Sequence, residues 1–283
     1  MLEHSFCHIP RIGVGTEEKY WLNGLASWDD IMRPEADRVL GSKAGWVRQH
    51  VETSRQHLLA GDALFFQQGL PSAQHWRLFR AFREHAAYVD IETTGLTFGE
   101  DHITSIALYG HGEVKTYVYG RNLEDFQDDI RDFSLLVTYN GKTFDAPFIE
   151  RTFGMKLNMA HLDLRYILKK LGFTGGLKKC EQAVGIGRDD LDGVDGYFAV
   201  LLWNEFQRTG NEDVLETLLA YNAADVVSLE VLLTHAWNEL VSATPFGSRS
   251  GMRLAPPMSP DVPHTPSRNV VDALRRKYCV PAW

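Results

Sequence analysis

Three short runs rich in β-branched and aromatic residues, at 87–91, 103–109 and 114–119, follow one another, with the breaks "GE" at 99–100 and "GHGE" at 110–113. That spacing predicts an antiparallel meander. Downstream the pattern becomes an alternation. Residues 123–131 read as a polar-faced helix, "SLLVTYN" as a short buried strand, "FDAPFIERTF" as a helix with Pro147 in its first turn, and residues 160–164 as a fifth strand. From there to about residue 240 the periodicity is helical, through "GLKKCEQAVG", "GYFAVLLWNEFQR" and a long segment opened by Asn211 as N-cap, with Glu212 and Asp213 in its first turn. A meander followed by helix-linked strands predicts an α/β domain, a mixed five-stranded sheet flanked by helices.

The first run, "AAYVDIETTGL", carries two carboxylates one residue apart in an apolar setting. Alternation sends Asp90 and Glu92 to one face of a strand, while Val89 and Ile91 point the other way. Two neighbouring anions repel, and unless one takes a proton or a cation lies between them the arrangement is destabilising. Carboxylate oxygens suit Mg²⁺ and Mn²⁺, whereas zinc sites lean on His and Cys. In "LVTYNGKTFDAPFIE", Asp145 falls just past a strand end in the first turn of the next helix, where sites assemble in α/β domains. In "LLAYNAADVVSLEVL", Tyr221 and Asp225 are four apart and share a helix face, with Leu218 and Leu229 on adjacent turns. Each has an ordinary reading taken singly: an exposed strand edge, a first-turn helix acid, a buried Asp paired with a cation.

Charge distribution bears on the choice. The net charge is −8, but residues 86–240 hold 13 Lys+Arg against 25 Asp+Glu, residues 1–85 hold 10 against 10, and residues 241–283 hold 6 against 2. A segment at net −12 is too acidic for a passive phosphate-binding face, yet suits a nuclease that meets phosphate through metal ions. Three widely spaced cysteines, Cys7, Cys180 and Cys279, argue against a disulfide framework or zinc ribbon. With no signal-type N-terminus and no window read as a membrane span, a cytoplasmic protein without membrane contact is expected.

Set in "DIETTGL", "YNGKTFDAPFI" and "YNAADVVSL", the four acids resemble the three motifs of the DEDD 3′–5′ exonuclease superfamily, which includes polymerase proofreading domains; the match spans residues 86–235. The order of strands and helices is likewise that of a ribonuclease H-like fold. The resemblance implies Asp90, Glu92, Asp145 and Asp225 as ligands of two Mg²⁺ or Mn²⁺ ions, with Asp90 bridging both. It also implies Tyr221 as the residue that orients the attacking water. The histidine subclass carries His five residues before the last Asp; Ala220 stands there, which indicates the tyrosine subclass. Thr93, Thr94, Gly95 and Leu96 would hold a 3′-terminal nucleotide, with Leu96 wedged against a base, and Asn140, Lys142 and Phe144 are further candidates. The implied substrate is single-stranded DNA or RNA with a free 3′ end. The stretches "HIPRIGVGTEEKYWLNGL", "LPSAQHWRLFRAF" and "LKKCEQAVGI" also resemble a bacterial branch of predicted ribonuclease H-like exonucleases. The rivals are a non-catalytic ribonuclease H-like binding module and a structure-selective endonuclease.

Three segments are expected: a helical N-terminal extension (1–85), the nuclease domain (86–240) and a Pro-rich tail (241–283) with seven of the eleven prolines. In the extension, "IPRIGVGTEEKYWLNGLASWDDI" has the cadence of a helix-hairpin-helix, in which backbone N–H groups meet a phosphate. The alternative is a small helical cap packed by Trp21, Trp28 and Trp46. Lys178 and Lys179 are either phosphate contacts or a solvated helix start. The tail reads as an extended, weakly ordered linker leading to a basic, solvated terminal helix, "RNVVDALRRKY", with Val270, Val271 and Leu274 on one face.

Overall fold

Alternation along the first strand, β1 (Ala86–Thr93), divides its residues between two cores in the computed structural model, which describes residues 1–187 and 196–278. Ala87, Val89 and Ile91 pack with Phe126, Phe148 and Ile149 on one face of the sheet. Ala86 and Tyr88 join Leu229 and Trp237 on the other. Asp90 and Glu92 continue that second face by the two-residue period. The remaining strands are β2 (Ile103–Gly110), β3 (Glu113–Val118), β4 (Leu135–Thr138) and β5 (Ala160–Asp163), in the order β3-β2-β1-β4-β5. The meander β1-β2-β3 is antiparallel, and β4 and β5 add in parallel. His111 (φ 51°) and Gly112 (φ 79°) form the two-residue β2–β3 turn, whose positive φ values match the twist of a hairpin. The fold is therefore the mixed five-stranded α/β sheet that the sequence pattern predicts.

The extension contains α1 (Val14–Leu22), α2 (Trp28–Met32), α3 (Ala44–Leu59) and α4 (Ala63–Gly69). Its turn at residues 9–12, where Arg11 takes φ 65°, is entered from a three-residue 3-10 segment (Leu2–His4) rather than from a helix, so the arrangement departs from a helix-hairpin-helix. Tryptophans tie it together instead. The Trp28 indole donates to the Ser5 carbonyl and the Trp21 indole to the His4 carbonyl, both at 2.9 Å. A buried ion pair, Arg77 Nη1 to Glu17 Oε1 at 2.7 Å, clamps α1 to the approach to β1, and Glu17 Oε2 accepts the Phe6 and Cys7 N–H groups. The apolar interior of the extension runs without a break into the core around Trp237.

Beyond the meander, residues 123–132 are not one helix but a 3-10 turn (Leu123–Asp125), a single α turn (Phe126–Asp129) and another 3-10 turn (Ile130–Asp132). Then follow α5 (Asp145–Phe153), α6 (Leu164–Lys170), α7 (Leu177–Val184), α8 (Gly196–Thr209) and α9 (Glu212–Ser242). As predicted, Asn211 caps α9 by accepting the Asp213 N–H. At 1.5 Å per residue α9 is about 46 Å long and lies across β1 and β2. It contains an 18-residue window of mean hydropathy 1.3, long and apolar enough to cross a membrane, which the window reading of the sequence passed over; 83% of that window is buried among protein side chains, as in a core helix.

The tail corrects two expectations. Residues 243–251 are a run of turns and residues 252–267 carry no regular structure, yet the segment is tied down: Trp237 Nε1 donates to the Met252 carbonyl, Asn238 pairs with both backbone groups of Leu254, and His264 bonds Thr116 of β3. The terminal helix, α10 (Arg268–Tyr278), is docked rather than solvated, with Val271 and Leu274 buried against Trp203 and Leu215 of α8 and α9. Lys277 closes the contact on Glu205 at 2.5 Å. The apolar face of α10 had a matching face on α8 and α9 that local composition does not reveal.

Candidate active site

Strand and helix bring three acids to one place. β1 presents Asp90 and Glu92 toward α9, and α9 supplies Asp225; one carboxylate oxygen from each lies within 4.8 Å of the others. Glu92 and Asp225 are buried and Asp90 half-buried. Asp90 is held in its rotamer by Asn222, which lies one turn before Asp225 and is wholly buried. Asn222 Nδ2 donates to Asp90 Oδ2 at 2.8 Å, and Asn222 Oδ1 accepts from Ser105 Oγ at 3.1 Å. Ser105 stands opposite Glu92 in the β1–β2 register, so the relay from Ser105 through Asn222 to Asp90 runs along the acidic face of the sheet.

Asp145 is the first residue of α5 and is buried. It lies outside the three-acid group but touches its backbone: Ile91 N–H, between Asp90 and Glu92, donates to Asp145 Oδ1 at 3.2 Å. Burial pushes the Asp145 carboxyl up to about 7; backbone donors oppose the rise, and the charges on Asp163 and Asp225 add to it. Tyr221 stands one turn before Asp225, its ring packed with Val118 and Phe198, and the Lys178 ammonium lies 4.8 Å from the ring centre. Lys178, at the start of α7, thereby packs against Tyr221.

The loop after β1 is shaped by a residue that motif reading passed over. Asp101 accepts from Thr94 Oγ1 and the Thr97 N–H, both at 2.8 Å, and a Cβ at Gly95 would lie 2.5 Å from its carboxylate. A larger residue at 95 would displace the Asp101 carboxylate from these bonds. Thr93 Oγ1 donates to the Gly95 carbonyl, while Leu96 stands 79% exposed at the tip, free to meet a ligand. Phe98 lies tilted against Phe148 with ring centres 4.3 Å apart, and Phe144 packs on Phe148 beside it, below the loop.

Asn140 (φ 66°) begins the turn between β4 and α5, and its side-chain oxygen is engaged by Arg165. Asp163 organises that turn: its carboxylate accepts the N–H groups of Asn140 (2.8 Å), Lys142 (3.2 Å) and Arg165 (3.1 Å). Asn222, Asp163 and Asp101 were all missed in the sequence. Only Asn222 carried a local signal, its i−3 spacing from Asp225, which puts both on one helix face.

The donor set fits a hard divalent cation. Oxygen ligands of such an ion lie at about 2.0–2.6 Å, so two on the same ion stand up to about 5 Å apart. The 4.8 Å grouping falls within that span, and its all-carboxylate chemistry favours Mg²⁺ or Mn²⁺ over zinc. Among the described residues no other group of three His, Cys, Asp or Glu side chains meets the same spacing, and His4 and His8 are bonded to Ala26 and Ser54.

Residues 87–237 match the family RNase_H_2 of the RNase_H superfamily. YprB of Bacillus subtilis (strain 168), described as an uncharacterized protein, is 30% identical over 181 residues, which are 55% of this chain and 42% of that protein. The chain thus matches less than half the length of this relative. A family B DNA polymerase from the hyperthermophilic archaeon Pyrobaculum calidifontis is 18% identical, with a TM-score of 0.44 over 57% of this chain and 26% of that one.

Proposed function

We propose that this chain, which belongs to the RNase_H superfamily, is a metal-dependent 3′–5′ exonuclease that hydrolyses phosphodiester bonds at single-stranded DNA or RNA ends and releases mononucleotides. The observation that carries the reading is the meeting of Asp90, Glu92 and Asp225 within 4.8 Å, with Asp145 bonded to the backbone between the first two. In this reading the four acids hold two Mg²⁺ or Mn²⁺ ions, which supply charge neutralisation at the scissile phosphate and lower the cost of forming hydroxide from water. The protein's own part is positional. Asn222 fixes the Asp90 carboxylate, Ser105 fixes Asn222, and the Ile91 N–H aims Asp145.

The Tyr221 hydroxyl orients the attacking water by hydrogen bonding. Leu96 and Phe98, with the half-buried Phe144 beside them, take the terminal base, and Lys178 takes a phosphate oxygen. The direction of attack and the two-ion count come from the resemblance to proofreading-type exonucleases, and the polarity follows from that likeness alone.

The test uses single-stranded oligonucleotides of DNA and of RNA, each labelled at the 5′ end and again at the 3′ end, incubated with Mn²⁺. A ladder shortening from the 3′ end, lost in Asp90→Ala, is expected. Internal cuts in substrates blocked at both ends would instead identify an endonuclease, and intact oligonucleotides after long incubation would leave a binding module.

A further inference from the structure

A cavity of 540 Å³ opens between the extension and the nuclease domain, walled by residues 72–76 on one side and by β5 and α6 on the other. Its volume is that of a small-molecule or nucleotide site. Three lysines line it, Lys142, Lys169 and Lys170, and among the described residues none of them forms an ion pair with a carboxylate. The acid in the wall, Asp163, already accepts three backbone N–H groups through its two oxygens. Three cations against this one carboxylate, whose charge also acts on Lys142, stand out in a segment whose net charge is −12, and of the three Lys170 donates to the Ala73 carbonyl at 3.2 Å. Such a cluster is stabilised by an anion from outside the chain.

The rest of the lining is apolar and aromatic. Tyr166 is 54% exposed on the wall, a solvent-facing ring with an open face. Trp76, also in the lining, is 4% exposed and buries an indole N–H that has no acceptor. Anion-binding cations and an open aromatic face together describe a nucleotide: phosphate and base.

The cavity adjoins the acids. Lys142 is in the turn three residues before Asp145, and Asp163 both lines the cavity and contributes to the electrostatic environment of Asp145. We propose that this cavity binds a nucleotide of the substrate strand away from the scissile bond, its base stacked on Tyr166 and its phosphate held by Lys142, Lys169 and Lys170. The helical extension thereby forms half of a substrate subsite. This rests on the nuclease reading for the identity of the strand, but binding is measured independently of cleavage.

The experiment uses the full chain and two variants on exposed positions, Tyr166→Ala and the double variant Lys169→Ala/Lys170→Ala. A fluorescein-labelled single-stranded oligonucleotide is titrated in EDTA by fluorescence anisotropy across a salt series, and cleavage is followed separately with Mn²⁺. Tyr166→Ala should weaken binding by about 10-fold, the loss of one stacked base. The double-lysine variant should reduce the slope of log K against log salt by about 0.7, the share of one neutralised phosphate on a single strand. In the cleavage assay both should raise KM with kcat at saturation retained. Affinity, slope and KM all within twofold of wild type would overturn the proposal and leave the exonuclease reading intact. A wild-type chain that binds no oligonucleotide would overturn it as well. Weakened binding in the variants with no cleavage by the wild type would uphold the subsite and remove the catalytic reading.

Discussion

Replacing Asn222 with alanine tests how the acids are held. Asn222 is wholly buried and makes two side-chain contacts of consequence, a 2.8 Å bond to the Asp90 carboxylate and a 3.1 Å bond from Ser105. A hydrogen bond to a charged group contributes about 1.5–3 kcal/mol, and leaving the Ser105 hydroxyl buried without an acceptor adds a desolvation cost of about 1–3 kcal/mol. With partial relaxation, Asn222→Ala should lose about 2–4 kcal/mol in urea unfolding monitored in EDTA. Much of the second part should return in the Ser105→Ala/Asn222→Ala double variant, because the orphaned hydroxyl is gone; the two changes should be non-additive by about 1 kcal/mol. Activity should drop by about 10–100-fold, the usual result of removing a partner that orients a metal-binding side chain. A stability change below about 0.5 kcal/mol, together with full activity, would refute the claim that this relay sets the Asp90 rotamer.

Other predictions follow from the same geometry. Asp145 has its carboxyl raised from 3.8 to about 7 by burial, so its protonated form is favoured by folding. Stability should therefore be highest below about pH 4 for this group and fall as pH rises toward 7, with Mn²⁺ raising the melting temperature more at pH 8 than at pH 5. Thermal melts of wild type and Asp145→Asn in EDTA check this, since the asparagine variant should lack that fall; identical pH profiles would contradict it. Tyr221→Phe should lower kcat by about 10–100-fold while leaving the Mn²⁺-induced shift in melting temperature in place, and a variant with unchanged kcat would reduce Tyr221 to core packing. Leu274→Asp puts a charge into the α10 contact, where Leu274 is 3% exposed, and should release the tail to limited proteolysis at a destabilisation of about 2–4 kcal/mol; an unchanged digestion pattern would contradict the docking.

The sheet was legible because its signals are local. Period-two alternation at 86–93, the His111-Gly112 turn and the Asn211 cap each act within a few residues, and each appears where the sequence puts it. The acids were legible for a related reason: a carboxylate pair on one strand face and an Asp on an apolar helix stripe are anomalies of burial that need no tertiary knowledge to notice. What escaped depended on distant partners. Asp163 caps α6 by accepting the Arg165 N–H and also holds the Asn140–Lys142 turn, which only the fold shows. Asp101 gains its meaning from the approach of Gly95, and the docking of α10 from a face on α8 that lies far away in sequence. The 3-10 character of residues 123–132 was hidden because an i, i+3 tightening leaves the apolar positions Leu123, Phe126 and Ile130 nearly where an α-helix would put them.

The most direct measurement is Mn²⁺ titration by calorimetry, on the wild type and on Asp90→Ala and Asp225→Ala. If these acids tolerate one another because divalent cations neutralise them, the wild type binds Mn²⁺ saturably and each variant loses at least about 10-fold in affinity. A wild type that takes up no Mn²⁺, or variants that bind it as tightly as the parent, would contradict the account at its base.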